Sequence, residues 1–305
     1  MISIIIPALN EERAIADTVA ACKRTLENAG IRPYEIIVVD DGSSDATARL
    51  AREAGARVLS HPHNVGYGRS LKDGIVAAQH DMIVITDADG TYPIETIPQL
   101  VEEYRKGFDM VVGARSGKHY RESLIKTPLR KILKMIVEFT AGRKIPDINS
   151  GLRIFSRNTA IPYFKNLCDT FSFTTSMTLA YMMNRRFVHY IPIEYFERKG
   201  QTKVRLFRDS LRTMQYIVEA ATYYNPLKIF SLFSFLCLCF AALSLTGALV
   251  FQLVSLFILG VGAILLSILV LGLGLLAVLL KQIMDNNPYE RDSPSSTKTG
   301  AAPKT

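Results

Sequence analysis

Three clusters of polar residues follow apolar, β-branched runs, and their side chains could bind a metal ion or a nucleotide. The clusters read PALNE at 7–11, DDGSSD at 40–45 and DADGT at 87–91. Asp-Gly-Ser is also common turn chemistry, so each acidic cluster alone is explained equally well as a turn. Three such clusters indicate a ligand site only if the fold brings them to one place.

The pair Asp87 and Asp89 has a specific chemical use. Two carboxylates one residue apart on a tight turn can hold a hard divalent cation such as Mg²⁺ or Mn²⁺, which keeps positions open for phosphate oxygens. Asp40 and Asp41 could accept hydrogen bonds from a base or a ribose. Together these residues predict a site for a nucleoside diphosphate with a bound metal.

The elements that must position these residues alternate between strands and helices. Continuous Ile/Val runs predict strands that are covered on both faces. The alternation predicts an α/β, Rossmann-like fold with a mostly parallel sheet, in which ligands bind at the carboxyl ends of the strands. Strands are predicted at 2–6, 34–40, 56–60, 81–87 and 108–114, and helices at 12–28, 45–54, 69–79 and 94–106.

The C-terminal part of the chain has a different character. Among the 305 residues, 49% are apolar and the formal net charge is +8, but no charged residue occurs between 229 and 280. This stretch predicts two transmembrane helices, about 229–251 and 255–280, and excludes a fully soluble protein. Lys228 and Lys281 flank the pair, so the positive-inside rule predicts cytoplasmic flanks.

The remaining boundaries follow from composition. We expect a catalytic domain at 1–204, which contains a basic amphipathic interface helix at about 121–141, then an interface helix or linker at 205–228. The Pro/Ser/Thr-rich stretch 281–305 predicts a disordered tail. The apolar start of the chain follows no basic residue, so we expect a strand there and not a signal peptide.

The order and spacing of the motifs resemble those of the family 2 glycosyltransferases with a GT-A fold. More narrowly, they resemble the polyprenyl-phosphate sugar synthases, the group that contains dolichyl-phosphate mannosyltransferase and bacterial undecaprenyl-phosphate glycosyltransferases. The motifs are SIIIPALNEE (3–12), IIVVDDGSSDAT (36–47), HNVGYGRSLKDGI (63–75), DADGTYP (87–93), VVGAR (111–115), DINSGLRIF (147–155) and RKGQTKVR (198–205).

The resemblance implies roles for the residues of the first two clusters. Pro7, Leu9 and Glu11 would frame the nucleotide base. Asp40 would bind the base or the ribose, with Asp41 as the alternative.

For the third cluster, the resemblance implies that Asp89 is the main metal ligand and that Asp87 helps to bind the metal or the ribose. Many relatives have Gln two residues after the second Asp. Thr91 occupies that position here and is expected to be a weaker metal ligand.

The later motifs would supply the catalytic residues. The resemblance implies that Arg115, Arg198 and Lys203 contact donor or acceptor phosphates. Asp147 and Ser150 would lie near the transferred sugar or the acceptor phosphate. Asp147 is interpreted either as a base or as an orienting residue.

The resulting hypothesis is a membrane-anchored glycosyltransferase that moves a sugar from a nucleotide-sugar donor to a polyprenyl phosphate with inversion. Mg²⁺ or Mn²⁺ would be the cofactor, undecaprenyl phosphate the acceptor, and the cytoplasmic face of a bacterial inner membrane the location, with no nucleic-acid partner. The alternatives are transfer to a glycolipid or diacylglycerol hydroxyl, and a non-catalytic, membrane-anchored nucleotide-binding protein. The sugar, the nucleotide and self-association into a homo-oligomer stay open.

Overall fold

The computed structural model describes residues 1–117, 135, 137–139, 141–196, 215, 222 and 225–285. The chain divides into two compact units, Met1–Tyr224 and Asn225–Thr305. Three sequence predictions fall largely or wholly outside the described residues. They are the basic helix at about 121–141, the interface helix or linker at 205–228 and the disordered tail at 281–305.

The first unit is an α/β structure. Its strands are β1 (Ile2–Ala8), β2 (Tyr34–Asp40), β3 (Arg57–Ser60), β4 (Met82–Ile85), β5 (Met110–Ser116), β6 (Arg153–Ser156) and β7 (Val188–Glu194). Its helices are α1 (Ile15–Asn28), α2 (Thr47–Glu53), α3 (Tyr67–Ala77), α4 (Ile97–Arg105), α5 (Arg157–Ala160) and α6 (Phe173–Met183).

Among the described residues, the seven strands form one sheet in the order β3-β2-β1-β4-β6-β5-β7. β6 pairs antiparallel with β4 and with β5, and every other pairing is parallel. The prediction of a mostly parallel α/β sheet is confirmed.

Helices cover both faces of this sheet. Along β1, Ile4 and Ile6 pack with Val19 of α1 on one face, while Ile5 packs with Leu71 of α3 on the other. All of these side chains are fully buried. Burial on both faces explains why the strand sequences read as continuous apolar runs without alternation.

Several elements differ from the sequence-based prediction, and β7 and α6 were not predicted. β4 ends at Ile85, so Asp87 lies beyond the strand on a loop. The helix predicted at 94–106 opens with a 3-10 turn, Ile94–Thr96, because Pro93 and Pro98 restrict the backbone there. β6 was not predicted, and its four residues separate β4 from β5 in the sheet.

The described part of the second unit is a helical hairpin of α7 (Pro226–Phe251) and α8 (Val254–Asp285). Both helices are long and apolar enough to cross a membrane. The Ser234 and Ser267 hydroxyl oxygens lie 2.8 Å apart between the helices, and Ser244 Oγ donates to the Leu256 carbonyl at 2.8 Å. Small polar residues of this kind allow close packing of apolar helices.

The ends of these helices differ from the predicted bounds. α7 begins at Pro226 rather than 229, because the Asn225 side chain accepts the Lys228 N–H and Pro suits the first helical position. Gln252, in the left-handed conformation, ends α7. α8 continues to Asp285, so 281–285 is helical and not disordered; Lys281 and Gln282 are good helix formers.

Candidate active site

The loops after β1 and β2 are joined by hydrogen bonds. The Asn10 N–H donates to Ser43 Oγ at 2.9 Å, and the Ser44 N–H donates to Asn10 Oδ1 at 2.8 Å. The Glu11 N–H donates to Thr47 Oγ1 at 2.8 Å. The first two polar clusters therefore form one continuous rim at the carboxyl ends of neighbouring parallel strands.

The three residues predicted to frame a base lie at this rim. Pro7 is buried within β1 opposite Val39, whereas Leu9 and Glu11 are partly exposed beyond the strand end. Leu9 and Glu11 are therefore the members of this set whose side chains a nucleotide can reach. No role was predicted for Asn10 from the sequence. Its backbone has a left-handed conformation, with φ 50°, and its hydrogen bonds hold the loop in place.

Asp40 and Asp41 have different surroundings, although both are buried. Within the described part of the chain, the Asp40 carboxylate accepts one hydrogen bond, from the Ser43 N–H at 3.1 Å. The Asp41 carboxylate accepts the N–H groups of Val65 and Gly66, each at 2.9 Å. Asp41 is thus used to hold the loop that precedes α3, and Asp40 retains more acceptor capacity for a ligand.

His61 reinforces this arrangement, and sequence reasoning gave it no role. Its Nδ1 lies 2.9 Å from Asp41 Oδ1, and its Nε2 lies 3.2 Å from Asp73 Oδ2. The imidazole therefore bridges the end of β3 to α3. An isolated His in a loop has no local pattern that reveals such a bridge.

The third cluster places two carboxylates directly after β4. Asp87 is partly exposed, and its Oδ1 accepts the Tyr67 hydroxyl at 2.9 Å. Asp89 is buried, and its Oδ1 accepts both the Thr91 N–H at 3.1 Å and the Thr91 hydroxyl at 2.6 Å. In this arrangement Thr91 orients Asp89, and its role as a metal ligand stays a prediction.

Gly151 leaves the space that the Asp87 carboxylate occupies. A Cβ atom added at Gly151 would lie 2.9 Å from each Asp87 carboxylate oxygen. The Gly151 N–H also donates to the Tyr92 hydroxyl at 2.6 Å. The loop that carries DINSG therefore packs its backbone against the DADG loop.

We expect Gly151→Ala to lower kcat by roughly tenfold to a hundredfold, because the added methyl group displaces the Asp87 carboxylate. The melting temperature should change little, since the clash is with one partly exposed side chain. The matched control is Gly262→Ala in α8, where an added Cβ meets nothing within 4 Å. Wild-type kcat in Gly151→Ala would contradict the placement of Asp87 in the active site.

Arg115 and Asp147 form a bidentate ion pair. Arg115 Nε donates to Asp147 Oδ2 at 2.7 Å and Nη2 donates to Oδ1 at 2.9 Å. The Arg115 and Asn149 N–H groups each donate to the same carboxylate at 3.1 Å. Burial alone would raise the pKa of Asp147, but these hydrogen bonds and the Arg115 charge outweigh it and lower the pKa. Asp147 is consequently a weak base.

Arg153, which sequence reasoning did not single out, holds the loop between Asp147 and β6. Its guanidinium is fully buried and donates to the Ser150 carbonyl from Nε at 3.0 Å and from Nη2 at 2.6 Å. Its Nη1 donates to the Thr174 carbonyl and to Thr178 Oγ1, each at 3.0 Å. The Ser150 Oγ is buried and has no hydrogen-bond partner among the described residues.

The structure thus brings Asp40, Asp87, Asp89, Arg115 and Asp147 to the carboxyl-end side of the central strands. Arg198 and Lys203 lie outside the described residues, so their roles stay predictions.

The two carboxylates after β4 fit a divalent metal that is shared with a ligand. Among the described residues, no group of three or more His, Cys, Asp or Glu side chains could hold a metal ion. A cation at Asp87 and Asp89 would therefore take its other ligands from a bound diphosphate and water, as Mg²⁺ usually does.

Solved structures establish the class of fold. Glucosyl-3-phosphoglycerate synthase from Mycobacterium tuberculosis, in complex with Mn²⁺, uridine-diphosphate-glucose and phosphoglyceric acid, matches with a TM-score of 0.61. The match has 20% identity and covers 72% of this chain and 79% of that chain. The complex of the same enzyme with Mn²⁺, uridine-diphosphate and glucosyl-3-phosphoglycerate matches with a TM-score of 0.58 at 21% identity, over 72% and 80%. This likeness shows a GT-A fold.

The sequence match defines the family. The model described as Glycosyl transferase family 2 matches residues 3–164, more than half of the chain. The chain belongs to glycosyl transferase family 2, and the protein is a glycosyltransferase. The resemblance drawn from the motifs is confirmed.

The curated relatives include the undecaprenyl-phosphate 4-deoxy-4-formamido-L-arabinose transferases of Salmonella paratyphi B (strain ATCC BAA-1250 / SPB7) and Salmonella newport (strain SL254). Each is 28% identical to this chain over 238 residues, which are 76% of this chain and 70% of the relative.

Proposed function

We propose that this glycosyltransferase moves a sugar from a nucleotide-sugar donor to a polyprenyl phosphate, with undecaprenyl phosphate as the acceptor. The observation that supports the site most directly is the Asp87 and Asp89 pair after β4, at the same edge of the sheet as the acidic end of β2, with β1 between the two strands. The acceptor class is supported by the names of the Salmonella relatives, which span most of the same chain.

On the donor side, Asp40 accepts hydrogen bonds from the base or ribose, and Leu9 and Glu11 border the base. Asp87 and Asp89 hold a divalent cation, Mg²⁺ or Mn²⁺, together with the donor diphosphate. When bound, this cation neutralises the charge that builds on the departing nucleoside diphosphate. The Mn²⁺ in the complexes of the Mycobacterium tuberculosis synthase supports a metal of this kind.

The state of Asp147 favours a phosphate acceptor over a hydroxyl acceptor. A sugar or glycerol hydroxyl needs a base to remove its proton, but the Arg115 ion pair lowers the pKa of Asp147 and makes it a poor base. A phosphate monoester with a second pKa of about 6 is largely dianionic at neutral pH and needs no strong base. We therefore assign Asp147 the orienting role, in which it fixes Arg115. Attack from the face opposite the leaving group gives inversion at the anomeric carbon.

We place the protein in the cytoplasmic membrane with its catalytic unit on the cytoplasmic side. The two apolar helices of the second unit support membrane insertion, since their side chains are mostly exposed rather than packed in a core. Lys228 and Lys281 lie near the two ends of the hairpin that share one side, which supports a cytoplasmic orientation by the positive-inside rule.

The test is a transfer assay with the full chain, purified in detergent. The protein is incubated with Mn²⁺ or Mg²⁺, undecaprenyl phosphate and a panel of nucleotide sugars, and mass spectrometry detects the lipid-linked sugar and the released nucleotide. We expect one donor to give a sugar-phosphate-lipid product. Undecaprenol and diacylglycerol serve as matched acceptors that present a hydroxyl in place of the phosphate.

The outcomes separate the three functional hypotheses. Product with undecaprenyl phosphate alone supports the proposal. Product with a hydroxyl acceptor alone would establish the glycolipid or diacylglycerol alternative. Nucleotide binding without release of any product, with every acceptor, would favour a binding protein and contradict the proposal.

A further inference from the structure

The phenol of Tyr67 lies against the metal-site carboxylate, and no role assigned above uses it. Its hydroxyl donates to Asp87 Oδ1 at 2.9 Å. Tyr67 is the first residue of α3, on a different segment of the chain from the DADG loop. The bond therefore ties the orientation of Asp87 to the position of a helix start.

The backbone before Tyr67 is fixed on both sides. Gly66 has φ +113°, and its N–H donates to Asp41 Oδ2 at 2.9 Å. A Cβ atom at Gly66 would lie 2.5 Å from the Asp169 carbonyl oxygen, so the loop before α3 and the loop before α6 are in backbone contact. Asp41 thereby fixes the residue immediately before Tyr67.

The ring of Tyr67 is fixed as well. It stacks on Phe171, with ring centroids 5.7 Å apart and an interplanar angle of 16°. The Phe171 side chain is 50% exposed, so the stack forms part of the surface beside Asp87. The contacts of the helix start, of the preceding loop and of the ring together restrict where the hydroxyl can lie.

We infer that Tyr67 is a positioning residue, whose hydroxyl holds the Asp87 carboxylate in the orientation that binds the metal–nucleotide complex. This inference rests on the proposed function, in which Asp87 and Asp89 hold the metal. Groups that hydrogen-bond to a metal-ligating carboxylate set its orientation, and their loss weakens metal binding by about 10- to 100-fold. Asp41 holds Gly66, the residue before Tyr67, so it acts on the site through Tyr67 and not directly on the nucleotide.

The protonation state of the phenol is consistent with this role. Removal from water and the negative charge of Asp87 raise the pKa of Tyr67 well above its ordinary value.

The test measures the metal-dependent part of nucleotide affinity in the full chain in detergent. UDP and GDP are titrated by calorimetry in saturating Mn²⁺ and again in EDTA, for the wild type and for Tyr67→Phe. We expect Mn²⁺ to strengthen the binding of one nucleotide to the wild type, and Tyr67→Phe to reduce this enhancement about tenfold. Affinity in EDTA should be unchanged, which a general loss of folded protein would not produce.

Two further variants locate the effect. Tyr34→Phe removes a phenol–carboxylate bond of similar length, from Tyr34 to Glu27 at 2.8 Å, at the opposite end of β2. It should behave as the wild type. Phe171→Ala keeps the Tyr67 hydroxyl and removes only the stacked ring. It should therefore reduce the Mn²⁺ enhancement of nucleotide affinity less than Tyr67→Phe does.

An undiminished Mn²⁺ enhancement in Tyr67→Phe would overturn this inference alone and leave the metal site in place. A loss in Phe171→Ala as large as that in Tyr67→Phe would also overturn it, because the ring and not the hydroxyl would then matter. A wild type whose nucleotide affinity ignores Mn²⁺ would overturn the metal site and this inference together.

Discussion

Asp89→Asn is expected to lower kcat at least about a thousandfold, the scale seen when a principal stabiliser of developing charge is removed. Asp89 is the buried member of the carboxylate pair, and its Oδ1 accepts both the N–H and the hydroxyl of Thr91. An amide carries no charge with which to hold a divalent cation against the donor diphosphate. The leaving nucleoside diphosphate would then lose its main compensation.

The fold should survive this substitution. The amide oxygen of Asn can still accept the Thr91 N–H and hydroxyl, so the turn keeps its hydrogen bonds. Circular dichroism and the melting temperature check this point, and product formation by mass spectrometry measures the loss of activity.

The control is Glu53→Gln on α2, which also neutralises one carboxylate. Glu53 is exposed and pairs with Arg49 at 2.8 Å, and such surface pairs contribute little to stability. We expect wild-type activity and melting temperature in this variant. Substantial transfer activity in Asp89→Asn would contradict the assignment of Asp89 as the main metal ligand.

The parts of the fold that are visible in the sequence are those with a local cause. β1 and β2 are buried on both faces, so their Ile/Val runs are continuous and easily recognised. β6 escaped prediction because its place in the sheet depends on pairing with β4 and β5, which are distant along the chain. Antiparallel insertion between two strands is a property of the tertiary fold, not of a local pattern.

The residues of the site likewise include some that a local motif predicts and some that only tertiary contacts identify. Motif spacing was sufficient to propose Asp87 and Asp89 as a pair, but it left Asp40 and Asp41 as alternatives. Adjacent residues at a strand end point to different sides, and only the contacts of Asp41 with the loop before α3 distinguish them.

Residues that act through tertiary contacts were not found from the sequence. Tyr67, His61 and Arg153 each bond to a separate segment of the chain, so no local spacing in the sequence indicates these contacts. For Tyr67 and Arg153 the available signal was membership of a quoted motif, HNVGYGRSLKDGI and DINSGLRIF respectively. Membership alone gave neither residue a chemical role.

The second large effect is expected for Asp147→Asn, which should lower stability by about 3 kcal/mol, the lower end of the range for breaking a buried ion pair. The reason is the partner that remains. The Arg115 side chain is only 17% exposed and would lose both of its charge-assisted bonds to the carboxylate. Thermal unfolding in detergent measures the loss.

The pH dependence of this loss has a definite sign. Because the pKa of folded Asp147 lies below its ordinary value of 3.8, the ion pair stabilises the fold fully above that value. The stabilisation disappears as the pH falls through the lowered pKa of the folded state. The difference in melting temperature between wild type and Asp147→Asn should therefore be constant from pH 5 to pH 8 and should shrink only in stronger acid.

Arg115→Met supplies the test of mechanism, alone and combined with Asp147→Asn. The double variant should lose less stability than the two single losses added together, because no charge is left unpaired. Strictly additive losses would show that the two side chains do not depend on each other.

The activity of Asp147→Asn then distinguishes the acceptors. If the acceptor is a dianionic phosphate, the variant loses only the orientation of Arg115, so kcat at a temperature where the variant is folded should fall less than it would if a base were lost, and the pH profile should keep the shape of the wild-type profile. If the acceptor is a hydroxyl, the variant lacks the base that removes its proton. In that case kcat should fall by about 100- to 10,000-fold at every pH where the wild type is active. Because the ion pair with Arg115 already makes Asp147 a weak base, we expect the smaller loss of kcat that a phosphate acceptor implies.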